Sequence, residues 1–291
     1  MPEPDAPPAP SRLVLLGHPV GHSLSATFQN AALGAAGIHA RYEALDVAPA
    51  ELERAIDELK RARAGGNVTV PHKAAVARAC DTLTDVAVEV GAVNTFWCAA
   101  DGALVGDNTD VAGVEATLRA LSEFHAGAAP ARIALIGAGG AAAAVVAAAA
   151  RVVPDARVAV CSRRGDAAAA LAARFPANAV ASVTVGDALD GAAVVVNATP
   201  LGLRPGDPLP CSVADLPDSG AVFDLVYGPR ETAWVRASRA AGHVACDGLL
   251  MLVEQGAAAF ERWFGRAPDR AEMWRAVRTR TDRPVTGWAT A

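Results

Sequence analysis

Residues 133–136 form a short apolar run, Ile-Ala-Leu-Ile, and Gly137-Ala138-Gly139-Gly140-Ala141-Ala142 follows it directly and opens an alanine-rich stretch through Val153. That order of residues leaves few folds open. The run suits a buried strand, the glycines permit a tight turn, and the alanines suit a helix whose first turn presents unpaired N–H groups. Glycine also lets a pyrophosphate approach the backbone, where the helix N-terminus favours its charge. The spacing therefore predicts a dinucleotide-binding βαβ unit with Gly137, Ala138, Gly139, Gly140 and Ala141 along the pyrophosphate.

The next strand, 157–160, runs into Cys161-Ser162-Arg163-Arg164. An NAD site has an acid near this point, about 20 residues past the first glycine, to hold the ribose 2′-hydroxyl. Here a serine and two arginines stand instead, and guanidinium groups suit a 2′-phosphate, so NADP is expected, with Ser162, Arg163 and Arg164 as its contacts. Two alternatives stay open: Asp166 reaching the ribose by another loop path, or the arginines as solvated charge. Strands at 193–196 and 222–226 follow. Their ends, Asn197 and Thr199 in one case and Val226 in the other, fall where a doubly wound sheet meets the nicotinamide.

The first part of the chain alternates in the same way. Residues 13–16 read as a strand closed by Gly17-His18-Pro19-Val20-Gly21, 41–47 as a second strand, and 49–63 as an amphipathic helix with Glu51, Glu53 and Asp57 on its solvated face. After Gly65-Gly66, the stretch Asn67-Val68-Thr69-Val70-Pro71-His72-Lys73 reads as a third strand entering a proline-initiated turn. Such alternation predicts a largely parallel sheet, whose ligands bind at the carboxyl ends of the strands. Ser23 and Ser25 are either alternative caps of the following helix or two hydroxyls presented to a carboxylate or polyol. Lys73 is either a solvated helix lysine or the catalytic acid/base. Gly91-Ala92-Val93-Asn94-Thr95 and Gly106-Asp107-Asn108-Thr109-Asp110 place small and amide-bearing residues at short apolar runs. Asp110 opens a helical pattern through Val114, Leu118 and Leu121, where the dipole alone favours its charge. A late apolar helix, beginning at Asp247-Gly248 and extending to about Phe264, carries one unusual polar group, Gln255, and another helix is expected over 268–278.

Composition narrows the class. The 291 residues are 52% hydrophobic and 20% charged, enough for two domains with cores of their own. A net charge of −5 argues against nucleic acid as the main partner and for a small molecule. Cys80, Cys98, Cys161, Cys211 and Cys246 are odd in number and lack CxxC spacing, so neither a disulfide framework nor a metal site is indicated and a reducing compartment is expected. Residues 1–10 lack the basic start and apolar run of a signal peptide and are expected to be a loose tail. The most apolar segment, 141–153, is shorter than the about 20 residues a membrane span needs. A soluble, cytoplasmic protein is expected.

His22-Ser23-Leu24-Ser25, the Asn67 to Lys73 motif, Gly91 to Thr95, Gly106 to Asp110, Gly137 to Ala141, Asn197-Ala198-Thr199, Asp224-Leu225-Val226-Tyr227 and Asp247-Gly248-Leu249 through Gln255 resemble, in order, the motifs of the shikimate dehydrogenase family. They span nearly the whole chain apart from the tail. The resemblance implies an α/β protein of two domains. An N-terminal α/β substrate-binding domain with a mostly parallel sheet takes 11–112 plus 248–291, and a Rossmann-type NADP-binding domain takes 113–247. It implies reversible, NADPH-dependent reduction of 3-dehydroshikimate to shikimate in chorismate and aromatic amino-acid biosynthesis, by a monomer or homodimer without a metal. Ser23 and Ser25 are then expected to hold the substrate carboxylate, and Thr69, Asn94 and Gln255 to surround the ring hydroxyls. Tyr227 is expected near the substrate, Gly248 on the cofactor, and Lys73 with Asp110 as the catalytic pair. Hydride addition to a ketone leaves an alkoxide that needs a proton, which fits Lys73 as donor oriented by Asp110. Ala26, Val111 and Leu250 depart from the family's usual proline and glycines, and Ser-Arg-Arg from its usual Asn-Arg-Thr. A catabolic quinate/shikimate enzyme would speak through a threonine at the serine pair and an acid at the ribose. A non-catalytic dinucleotide sensor would have lost the Lys73/Asp110 pair.

Overall fold

The computed structural model describes residues 9–21, 23–124 and 131–281, so most of the expected tail, His22 and the positions beyond 281 lie outside the described residues. The chain forms two compact units: residues up to Gly113 together with Leu252–Arg280, and Val114–Met251.

In the first unit, β1 (Arg12–Gly17) leads to α1 (Ser25–Ala35), β2 (Arg41–Asp46) to α2 (Leu52–Arg61), and β3 (Gly65–Val68) to α3 (Lys73–Ala79). Then come β4 (Thr82–Leu83), α4 (Asp85–Val90), β5 (Thr95–Cys98) and β6 (Leu104–Asp107), giving one sheet in the order β2-β1-β3-β5-β6-β4. Leu52, Ala55, Ile56 and Leu59 of α2 are buried at helical spacing, while its acidic residues face water. The helix expected from residue 49 begins as a 3₁₀ turn, Pro49–Glu51.

β1 runs parallel to β2 and β3, as alternation predicts. β5, however, is antiparallel to both β3 and β6, so this sheet is mixed. The reason is local. A turn closed by the Ala99 N–H to Ala103 O bond (2.8 Å), with Gly102 at φ 94°, joins β5 to β6 and is too short for a crossover. Gly65 and Gly66 lie inside β3 rather than ahead of it. A Cβ at Gly66 would stand 2.2 Å from the Val14 carbonyl oxygen, so only glycine lets β3 lie this close to β1.

α5 (Asp110–Phe124) carries the chain into the second unit, where β7 (Arg132–Ile136), α6 (Gly140–Val152), β8 (Arg157–Cys161), α7 (Gly165–Arg174) and β9 (Ala179–Ala181) alternate. They are followed by α8 (Val185–Leu189), β10 (Val194–Asn197), β11 (Ala221–Asp224), α9 (Ala233–Ala240) and β12 (Ala245–Cys246). All the strand pairs are parallel, in the order β12-β11-β10-β7-β8-β9. That is the doubly wound Rossmann order, with its switch point between β7 and β10. Ala142 to Ala149 of α6 are all buried, their short side chains leaving no exposed face along that stretch.

α10 (Leu249–Phe264) returns the chain to the first unit, and α11 (Arg270–Arg278) packs on α1 there. Asp269 sets the start of α11 by accepting from the Glu272 N–H, two residues beyond the expected Pro268. Among the described residues no helix is long and apolar enough to cross a membrane, and no group of three His, Cys, Asp or Glu side chains could hold a metal ion.

Candidate active site

Because β1, β3 and β6 share a direction and β5 opposes it, the loops after β1, β3 and β6 and the residue before β5 all emerge at one end of the first sheet. Ser23 and Ser25, Thr69 and Lys73, Asp110, and Asn94 occupy those positions. The loops after β1 and β3 are tied by the His18 N–H to Val70 O bond (3.0 Å), and the His18–Pro19 and Val70–Pro71 peptides are both cis. Thr69 lies over the end of β1, where a Cβ on Gly17 would meet its Cγ2 at 2.4 Å.

Lys73 is the first residue of α3 and Asp110 the first of α5. A helix N-terminus disfavours the ammonium and favours the carboxylate, and their pairing offsets the first with the second. Lys73 Nζ lies 2.5 Å from Asp110 Oδ2, with the lysine side chain 20% and the aspartate 6% exposed. Asn94 Nδ2 donates to the other carboxylate oxygen, Asp110 Oδ1 (2.7 Å), and to Gln255 Oε1 (3.2 Å). Gln255 Nε2 in turn donates to Leu252 O (2.7 Å). Four of the expected residues therefore share one hydrogen-bonded chain.

Behind it stands a layer that the sequence did not announce. Asn94 Oδ1 accepts from the Thr109 N–H (2.7 Å) and from Thr95 Oγ1 (2.9 Å), which forces its amide nitrogen toward Asp110. Asn67 Nδ2 donates to Asn94 O and Thr95 Oγ1, and its oxygen accepts from the Tyr42 hydroxyl. Helix α10 is seated by Gln29 Nε2 donating to Gly256 O (2.9 Å), and a Cβ at Gly256 would collide with the Phe28 ring at 2.4 Å. Spacing alone gives these residues no role, because most of their partners lie 12 or more residues away in sequence.

Ser23 and Ser25 are bonded to each other at the start of α1. Ser23 Oγ accepts from the Ser25 N–H at 3.2 Å, relieving one unpaired donor of α1, and donates to Ser25 Oγ at 3.2 Å, so the hydroxyls stand together.

In the second unit the glycine turn expected to hold a pyrophosphate follows β7 directly. Gly137 takes φ 120°, and a Cβ there would sit 2.8 Å from Ala198 O, so glycine brings the turns after β7 and β10 into contact. A Cβ at Gly139 would meet nothing within 4 Å, and α6 begins there without a side-chain cap. Open space beside uncapped N–H groups fits an anionic pyrophosphate. Arg163 and Arg164 are exposed just past β8, and the Arg164 N–H donates to Ser162 Oγ at 3.3 Å. Ala138 and Ala141 flank the glycines, half-buried. Asp166 is exposed in the first turn of α7.

Thr199 follows β10, and both its N–H (3.0 Å) and its Oγ1 (2.6 Å) donate to Asn197 Oδ1. β11 ends at Asp224 rather than at 226, because the Val226 N–H turns back to Asp224 Oδ1 (3.1 Å). The Gly248 N–H donates to Val226 O at 3.2 Å. Tyr227, half-buried, belongs to this unit, whereas the other expected substrate contacts belong to the first. All five cysteines are free, and burial pushes Cys80 and Cys211 up to about 12, which leaves those thiols inert at neutral pH.

Burial also pushes Asp224 up to about 6 from an ordinary 3.8, against the pull of its bonds from Thr232, Asn197 and Val226. Folding thus favours its protonated form, a contribution fully present below pH 3.8 and lost as pH rises through about 6. In thermal melts from pH 7 to pH 4 the wild type is expected to gain on Asp224→Asn by about 2 kcal/mol. A constant difference across that range would refute the assignment.

A parallel sheet in this strand order with a glycine turn at its switch point places the second unit in the dinucleotide-binding class. Family models for the shikimate dehydrogenase substrate binding domain and the shikimate 5′-dehydrogenase C-terminal domain match residues 15–96 and 248–278. A relative from Rhodospirillum rubrum, shikimate dehydrogenase (NADP(+)), is 42% identical over 271 residues, covering 90% of this chain and 95% of its own. Shikimate dehydrogenase from Aquifex aeolicus superposes with a TM-score of 0.83 at 34% identity, covering 92% of this chain and 98% of its own. The Thermus thermophilus shikimate 5-dehydrogenase, in complex with NADP(H) and shikimate, gives 0.81 at 37% identity, covering 92% and 99%. The chain belongs to the shikimate dehydrogenase family.

Proposed function

We infer that this chain catalyses the reversible, NADPH-dependent reduction of 3-dehydroshikimate to shikimate, in the cytoplasm, as a monomer or homodimer that needs neither metal nor nucleic acid. The observation that carries the reading is the Lys73–Asp110 pair, held from both carboxylate oxygens within a layer of amide and hydroxyl groups. Ser23 and Ser25 bind the substrate carboxylate through their adjacent hydroxyls, and Thr69, Asn94 and Gln255 bind the ring hydroxyls, with Tyr227 as a further contact. In the second unit, Gly137 to Ala141 hold the pyrophosphate and Ser162, Arg163 and Arg164 the 2′-phosphate. Asn197, Thr199, Val226 and Gly248 form the nicotinamide end. The cofactor, when bound, would supply the hydride. Lys73 Nζ gives the proton that the substrate oxygen needs in reduction, and Asp110 steadies the ammonium before transfer. In oxidation Lys73 accepts that proton.

Steady-state assays of shikimate and quinate against NADP and NAD test this. Shikimate with NADP is expected to give the highest kcat/KM, at least about tenfold above the other combinations. Equal efficiency with NAD overturns the assignment of Ser162 to Arg164, a preference for quinate overturns the substrate, and no turnover with any pair overturns the reading as a whole.

A further inference from the structure

We propose that Asp224 is the positioning residue for the nicotinamide end of the cofactor site, acting through Asn197 and the Val226 N–H without touching the cofactor. The proposal rests on the dinucleotide reading of the second unit. Asp224 is fully buried at the end of β11, opposite Asn197 at the end of β10. Its Oδ1 accepts from Asn197 Nδ2 (2.8 Å) and from the Val226 N–H (3.1 Å), and its Oδ2 accepts from Thr232 Oγ1 (2.7 Å).

Asn197 has no freedom left. Its nitrogen donates to Asp224 and to Leu201 O (3.1 Å), while its oxygen accepts twice from Thr199. Leu201 O can only accept and the Thr199 N–H can only donate, so the amide has a single orientation. One oxygen of Asp224 thus anchors Asn197, and with it Thr199, together with the path of the chain at Val226, at the ends of two adjacent strands beside the switch point. Thr232 caps α9 by accepting from the Val235 N–H, which anchors the other carboxylate oxygen to a helix. A buried acid held by these neutral donors is a stability cost of the kind proteins keep where geometry matters.

The test is NADPH affinity by fluorescence titration together with the primary isotope effect on kcat/KM, measured with NADPH deuterated at the transferred position. In Asp224→Ala the NADPH Kd is expected to rise about tenfold, the loss of one well-placed hydrogen bond. The isotope effect is expected to rise with it, while the shikimate Kd by calorimetry stays put. Asp224→Asn keeps Oδ1 for both donors and turns an N–H toward Thr232 Oγ1, so it is expected to stay within about threefold of wild type. Should the alanine variant fail to fold, Asp224→Ser carries the same expectations, because its hydroxyl and one water satisfy the donors while misplacing the acceptor. Wild-type Kd and isotope effect in Ala or Ser overturn the proposal, as does an Asn variant as weak as Ala. Failure of the wild type to bind NADPH overturns the underlying cofactor reading instead.

Discussion

Lys73→Ala is expected to lower kcat by about 10²–10⁴-fold, the usual worth of a positioned general acid, while shikimate still binds through Ser23, Ser25 and the amide groups. The geometry makes a sharper demand as well. Lys73 Nζ and Asp110 Oδ2 are 2.5 Å apart, so the two side chains act as a unit and their losses will not add. Asp110→Asn alone is expected to lower kcat, and the same change in the Lys73→Ala background to cost little more. Stopped-flow measurement of NADPH oxidation for the four proteins decides this. Wild-type-like turnover in Lys73→Ala, or fully additive losses, would remove the pair from the chemistry.

The second large effect is expected at Gly248. A Cβ there would stand 2.2 Å from Leu225 O and 2.8 Å from its carbonyl carbon, backbone atoms that cannot rotate away as a side chain does. Gly248→Ala must therefore push the start of α10 from the segment after β11. The expected cost is about 1–3 kcal/mol of stability, with NADPH affinity falling more than about tenfold because Val226 moves with its Gly248 contact. Gly139→Ala is the informative comparison. Its backbone is extended and its Cβ would meet nothing, so the variant should melt like wild type yet bind NADPH poorly if, as proposed, the methyl group enters the pyrophosphate's space. Equal melting temperatures for Gly248→Ala and wild type, or undiminished NADPH binding by Gly139→Ala, would contradict these assignments.

What could be read from the sequence is what neighbours in the chain decide. The glycine turn after β7, the strands carrying Lys73 and the serine pair, and the helix opened by Asp110 all follow from spacing over a few residues. The antiparallel course of β5 escaped because a hairpin turn at 99–103 carries a weak signal beside strong βα alternation. It was harmless to the site: reversing β5 brings Asn94, at its start, to the same end of the sheet as the strand ends. Asn67, Thr95 and Thr109 stood within recognised motifs but without a role, since what gives each one a task is the side chain it faces. Gln29 and Gly256 were invisible for the same reason, their bond joining positions 227 residues apart. Asp224 stood within a quoted motif, yet an acid at a strand end is unremarkable until burial and three converging donors give it a task.

The discontinuous first unit fixes a timetable for the chain as it is made. Asn94 and Lys73 leave the ribosome early, but Gln255, which completes the hydrogen-bonded chain at Asn94, lies 161 residues later. Trp263, whose indole N–H closes on Phe96 O, lies 167 residues beyond its partner. The whole of Val114–Met251 emerges in between. The hydrogen-bonded chain from Lys73 to Gln255 thus begins early in synthesis and is finished late, and α10 is the part that finishes it.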